Sequence, residues 1–233
     1  MSSLLLLFNY FIDICDNNEI KPIITHGSLI GWYFNRKVLP WDTNINISFI
    51  GKSIDNFLNL DINKLNNNNG RFHIWINPNM KDRTPNYLKN DIIDAKIIDL
   101  NNRYNTIEIT FLYQSIDNYF KENVIKNLEV VNTSTNPFKS SNYELKLKSY
   151  VKSITNNGDL IKNTNYVNCK SPHYYDIKLI LPLKLEIFEN RHIYVPNNVY
   201  DCLLQEYGKQ VFIPKYKNWI YDSNLEIWKE IKY

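Results

Sequence analysis

Apolar side chains recur at helical spacing over residues 3–16, where Leu4, Leu7, Phe8, Phe11 and Cys15 share one face. The pattern stops at the polar run Asp16-Asn17-Asn18, so a helix is expected to open the chain. Ile23-Ile24-Thr25 is a short β-branched run. It leads into His26-Gly27-Ser28, read as a tight turn, and then Leu29 to Phe34, read as a second helix. From Asn44 the period changes to two: Ile45, Ile47 and Phe49 fall on one face of a strand, and Asn44, Asn46 and Ser48 on the other. Further strands are predicted over 72–76, 91–98 and 104–111. In the last of these Thr106, Glu108 and Thr110 oppose Ile107, Ile109 and Phe111, which turns Glu108 away from the core.

Downstream, residues 115–129 and 142–154 have helical character, and 155–170 reads as a long polar loop. Leu183 to Val195 reads as a hairpin around Glu189-Asn190-Arg191, and Asn198 can cap a helix through Tyr207 that stops at Gly208. This hairpin and helix are expected to pack Leu185, Ile187, Leu203 and Tyr207 against the core.

With 233 residues the chain is long enough for one buried core, and a single domain over 1–233 is expected. Its 27 basic and 24 acidic side chains nearly balance, and no basic block is longer than Arg36-Lys37, which argues against nucleic acid as a partner. Three cysteines, Cys15, Cys169 and Cys202, lie far apart and form neither a disulfide framework nor a Cys-x-x-Cys knuckle. The apolar stretch from Leu4 to Ile14 is broken by Asn9 and Asp13, short of the ~20 residues that span a bilayer. It has no basic leader or small-residue cleavage site, so neither a membrane span nor a secretory signal is read, and by that criterion the chain is cytoplasmic. Asparagine is abundant, at 36 residues, and its tracts at 63–70 and 156–168 are expected to be loops. The same bias produces Asn46-Ile47-Ser48 and Asn132-Thr133-Ser134 sequons by chance.

A Gly-Ser pair at a strand end, with a helix after it, offers backbone N–H groups to a phosphate. Alone it is an ordinary turn. The next two strands are more specific: one with polar residues two apart, then a second with a lone acidic residue facing the same way, is how two-metal sites assemble ligands for phosphoryl transfer.

His26-Gly27-Ser28-Leu29-Ile30-Gly31-Trp32-Tyr33 and then Leu39-Pro40-Trp41-Asp42-Thr43-Asn44-Ile45-Asn46-Ile47 resemble the hallmark of LicD/fukutin-type nucleotidyltransferase-fold proteins. Ile93-Asp94-Ala95-Lys96-Ile97-Ile98-Asp99, Ile107-Glu108-Ile109-Thr110, Cys169-Lys170-Ser171-Pro172-His173-Tyr174 and Pro182-Leu183 through Tyr194-Val195-Pro196 resemble its fungal, mannosylphosphate-transfer branch. The resemblance runs over roughly residues 4–210. It implies an α/β (α+β) fold, a mixed sheet flanked by helices with a C-terminal hairpin and helix. It also implies transfer of a phospho-linked group from a nucleotide-activated sugar or alcohol phosphate donor to a glycan acceptor. A Golgi lumen location is implied as well, because fungal relatives are usually tethered by an upstream membrane segment, and the chain then reads as a fragment of a longer protein.

The family's catalytic pattern is a Gly-Ser turn, an Asp-hydrophobic-Asp strand and a third carboxylate, together holding magnesium or manganese. Here the strand positions are Asn44 and Asn46, and the third is Glu108 in place of aspartate; Asp42 matches the family. The resemblance therefore makes Asp42, Asn44, Asn46 and Glu108 the catalytic set. Glu108 and Asp42 are its remaining metal ligands, and Gly27, Ser28, Lys170 and His173 are candidates for phosphate or substrate. Two amides in place of two carboxylates remove two negative charges from the metal's surroundings. The expectation is a transferase domain with a degenerate site, using magnesium or manganese if active and no cofactor otherwise. The alternative is an inactive regulatory or binding subunit that assists an active family transferase. Asp94 and Asp99 are read as structural, and Trp32, Tyr33 and Trp41 as core. Cys169 and His173 do not complete a zinc site by themselves, since His26, His73 and His192 are scattered in the sequence, and zinc is not expected.

Overall fold

The computed structural model describes residues 2–68, 70–81, 92–114, 166–170 and 173–231. The chain divides into two compact units, residues 1–113 with 168–233, and residues 114–167. The expected helices at 115–129 and 142–154 lie outside the described residues.

Helix α1 (Ser3–Asn17) starts at Ser2, whose hydroxyl accepts from the Leu5 N–H at 3.3 Å. Its apolar stripe, including Leu7, Phe8, Phe11 and Cys15, is fully buried. Strand β1 (Ile23–Ile24) runs directly into α2 (His26–Asn35), so His26-Gly27-Ser28 is the first turn of the helix and not a separate turn. Then come β2 (Asn44–Ile50), α3 (Lys52–Leu58), α4 (Ile62–Asn68), β3 (Phe72–Ile76), β4 (Ala95–Asp99) and β5 (Thr106–Gln114). Past β6 (Tyr166–Asn168), β7 (Tyr174–Asp176) and the short α5 (Ile177–Ile180), the hairpin β8 (Lys184–Phe188) and β9 (Arg191–Val195) precedes α6 (Val199–Tyr207).

Within a nine-stranded mixed sheet, seven strands follow the order β3-β4-β5-β2-β1-β9-β8. β2 pairs parallel to β5 and β1 parallel to β9, while the other neighbours in this order are antiparallel. Ile45, Ile47 and Phe49 of β2 and Ile107, Ile109 and Phe111 of β5 show no exposed surface, which makes this pair the centre of the core. Phe57 of α3 meets Phe49 at 5.0 Å between ring centroids, Phe11 of α1 stacks on Phe49 at 6.2 Å, and Phe8 meets Phe188 edge-on. The hairpin turn at Glu189 and Asn190 has positive φ at both residues, the backbone of a tight two-residue turn.

Asp99 is fully buried and takes a forked pair of hydrogen bonds from Arg71, with Ser3 also donating to it, so α1 is tied to the end of β4. Asp94 is buried too, and its carboxylate accepts the Phe111 N–H at 2.7 Å. Both aspartates are structural, as expected. Of the strand expected over 91–98, residue 91 lies outside the described residues and β4 begins at Ala95, next to Asp94, whose side chain takes the Phe111 backbone donor.

The asparagine tract at 63–70 was expected as a loop, but α4 carries it as helix through Asn68. Asp61 accepts the Lys64 N–H at 3.0 Å, and Asn66 bonds both backbone groups of Ile74 through its amide, so tertiary contacts override weak helix propensity. The loop expected over 155–170 is interrupted by β6. Leu185 and Ile187 do not pack on the core: they are 55% and 42% exposed, since β8 is the edge strand and only its Phe188 reaches α1. A three-stranded C-terminal sheet, β10 (Lys215–Tyr216), β11 (Trp219–Asp222) and β12 (Ile227–Glu230), was not anticipated. Trp41 packs against its Tyr216, Trp219 and Trp228, and the Tyr221 hydroxyl donates to the Phe34 carbonyl at 2.6 Å.

Leu203 shows no exposed surface in α6. Leu203→Ala should therefore lower unfolding free energy by ~2–5 kcal/mol in urea titrations. Leu185→Ala should stay within ~0.5 kcal/mol of the parent, as an exposed site does.

Candidate functional site

The parallel register of β2 and β5 sets Asn44 beside Thr106, Asn46 beside Glu108 and Ser48 beside Thr110. With a side-chain period of two, this register turns every polar residue of β2 toward the face that carries Glu108. Deep in that face, the Ser48 hydroxyl bonds Thr25 at 3.0 Å and Thr110 at 2.9 Å. Further along, the Asn44 amide donates to Glu108 Oε2 at 3.1 Å. Glu108 Oε1 is taken by Lys96 Nζ at 2.9 Å, from the facing position on β4. Both carboxylate oxygens thus have partners, one of them a cation.

Helix α2 begins on this face. The Ser28 hydroxyl is buried and accepts the Asn46 N–H at 2.8 Å, so it braces β2. A Cβ built on Gly27 would lie 3.4 Å from Asn46 Oδ1 and 3.8 Å from Asp42 Oδ2, which places both side chains against the first turn of the helix. Burial raises the Asp42 carboxyl to about 6. Asp42, Asn44, Asn46, Glu108, Gly27 and Ser28 are therefore neighbours. Lys170 is 1% exposed, and its ammonium donates to the Asn79 carbonyl at 3.0 Å.

His173 belongs to a second cluster on the same helix end. Its Nδ1 is 3.7 Å from Cys169 Sγ, and its ring centroid is 4.7 Å from that of His26. His26 Nδ1 pairs with Glu206 Oε2 at 3.0 Å, and the other Glu206 oxygen accepts from the Tyr175 hydroxyl. Burial would lower the His26 imidazole, but the Glu206 carboxylate beside it raises it to about 10; burial would raise Glu206, but His26 holds it down to about 2. Cys169 is fully buried, which would raise its thiol, yet hydrogen bonds from His173 and His26 lower it to about 6. Cys202, without such partners in its balance of effects, is raised by burial to about 12. Burial raises the Tyr207 phenol, and the carboxylates of Glu206 and Asp42 raise it further. His26 itself has φ of 51°, a left-handed backbone that costs a non-glycine residue ~1–3 kcal/mol and is kept where the surroundings require it.

Sequence reasoning passed over Lys96 and Glu206. Lys96 interrupts the isoleucines of β4 on the face opposite Ala95 and Ile97, so pairing that strand with β5 would have placed it on Glu108. Glu206 is the one charge on the buried stripe of α6, with Cys202 and Leu203.

The model of the LicD/FKTN/FKRP nucleotidyltransferase domain matches residues 19–139, which include α2 and strands β2 to β5. The chain belongs to this LicD family. Membership carries a phosphotransferase-type function, with a nucleotide-activated donor and an acceptor as its partners. No curated protein matches the chain. Among the described residues no helix is long and apolar enough to cross a membrane.

The raised Asp42 carboxyl has a sign that can be checked. Its contribution to stability is present below the ordinary carboxylate value, about pH 4, and is lost as pH rises through about 6. Asp42→Asn should therefore match the parent's urea midpoint near about pH 4 and exceed it at about pH 7.5.

Proposed function

We propose that this chain is a LicD-type domain of glycan phosphodecoration that binds a nucleotide-activated sugar or alcohol phosphate donor without efficient turnover, as a regulatory or binding partner of an active transferase. The observation that carries the reading is the Lys96 ammonium on Glu108, with Asn44 on the other oxygen. Magnesium or manganese in such a fold is held by carboxylates, and the remaining carboxylate here already has a counter-ion. A resident divalent ion would have to displace a lysine and then accept two neutral amides, Asn44 and Asn46, as neighbours. Such a donor set does not suit magnesium, which relies on carboxylates and substrate phosphates. Metal stabilisation of developing phosphoryl charge is worth several kcal/mol, and ~1.4 kcal/mol is tenfold in rate, so the loss amounts to orders of magnitude.

Donor binding is the part of the activity that these substitutions leave open. Gly27 adds no side chain of its own to the first turn of α2, where the Asn46 and Asp42 side chains already stand, and a helix N-terminus suits a phosphate. Resemblance to the mannosylphosphate-transfer branch favours a nucleotide sugar as donor and a glycan as acceptor.

Calorimetric titration with a panel of nucleotide sugars, with and without manganese, should give binding that manganese changes little and no transferred product. Asn44→Asp, Asn46→Asp and Lys96→Ala combined should raise manganese affinity at least tenfold, whereas the two aspartates alone should gain less, because Lys96 still competes for Glu108. Tight manganese binding and turnover in the parent, both lost in Glu108→Gln, would contradict the proposal.

A further inference from the structure

The His26, Cys169 and His173 cluster is a set of side chains separate from Asp42 and Glu108, and its chemistry is of another kind. Three side chains from two distant parts of the chain bring a thiol sulfur and two imidazole nitrogens within 4.8 Å of one another. We propose that Cys169 Sγ, His173 Nδ1 and His26 Nε2 bind one divalent transition-metal ion of the zinc class, leaving a fourth position for water or an anionic ligand.

The distances suit the ion. Tetrahedral zinc with Zn–S of about 2.3 Å and Zn–N of about 2.05 Å sets sulfur and nitrogen about 3.6 Å apart. Cys169 Sγ and His173 Nδ1 are 3.7 Å apart. The widest separation in the cluster exceeds the ideal edge by about 1 Å. Side-chain rotation at the partly exposed histidines is the movement that metal binding would require. The donors also suit it: thiolate and imidazole select zinc, cobalt or nickel over magnesium or manganese, so this site and the Glu108 face differ in the metals they take.

Support from outside the ligand set is already built. Glu206 accepts from His26 Nδ1 at 3.0 Å, which fixes the proton on that nitrogen and leaves Nε2 for the metal. Glu206 is itself held by Tyr175, and both are buried. The left-handed backbone at His26 is the price of aiming a helix's first side chain at a strand-end cysteine. The ligands must be thiolate and neutral imidazole, so binding displaces any proton on Cys169 Sγ and the proton on His26 Nε2 to solvent, while Nδ1–H stays on Glu206. One thiolate and the Glu206 carboxylate then balance the two charges of the ion, so the cluster carries no net charge. Cys169 is 1% exposed, and the two histidines, each partly exposed (14% for the His26 side chain), form the more open side.

The full chain, stripped with chelator and titrated with cobalt(II), tests this. A thiolate-to-cobalt charge-transfer band with tetrahedral visible bands is expected, both removed by added zinc, and zinc should raise the melting temperature. Cys169→Ser should abolish the charge-transfer band, His173→Gln should weaken affinity at least tenfold, and Glu206→Gln should weaken it 10–100-fold. Because His173 is partly exposed, its variant is the one expected to fold if the others do not. No charge-transfer band in the parent would overturn the proposal. So would a band that survives Cys169→Ser, which would assign the metal to another thiol, or unchanged affinity in His173→Gln.

Discussion

The parallel pairing of β2 with β5 is the constraint on which the rest of the molecule depends. Its register, Asn46 beside Glu108, sends Ile45, Ile47 and Phe49 into a fully buried core with Ile107, Ile109 and Phe111. The same register collects Asn44, Asn46, Ser48, Glu108 and Thr110 on the opposite face. A slip of one residue would exchange the two faces, burying amides and a carboxylate in apolar surroundings. Core and site are thus specified together, and helix α2 is anchored to both, by Ser28 on the Asn46 backbone and by Gly27 against the Asn46 side chain.

On the polar face the electrostatics differ from those of a metal-dependent phosphotransferase. A carboxylate that would share a cation with two aspartates instead shares a lysine with an asparagine. The pair is roughly three-quarters buried, with 29% of the Lys96 side chain and 24% of Glu108 exposed, so the ammonium is held in place by more than screened surface attraction. On the proposed reading, the fold keeps the donor-facing helix end and loses the charge that would drive chemistry. The cluster around Cys169 lies on the same helix end, through His26 in the first turn of α2. On the two proposed readings together, metal chemistry in this domain would depend on sulfur and imidazole and not on carboxylates.

Much of this was legible in the chain, and the part that was not has identifiable causes. Period-two alternation located β2 and β5 and gave the facing of Glu108, because one buried face imposes that pattern. Asn198, Gly208 and the buried stripe of α1 marked helix limits through local chemistry. Asn66 and its helix were misread because propensity cannot register an amide bonded to Ile74 across space. Leu185 and Ile187 were misread because alternation does not tell a central strand from an edge strand. Cys169 and His173 were visible, but His26, some 140 residues earlier, became their neighbour only through the fold. Lys96 needed the register of a strand pair before its charge acquired a meaning.

The central claim, that a lysine ammonium stands where family members would place a divalent cation, is tested most directly by anomalous scattering. Crystals of the unmodified protein grown with excess manganese and a nucleotide sugar, and measured at the manganese absorption edge, should show no peak beside Glu108. Lys96 Nζ should remain within hydrogen-bond distance of its carboxylate. A strong manganese peak bonded to Glu108 and Asp42, with the Lys96 side chain swung away, would contradict the account.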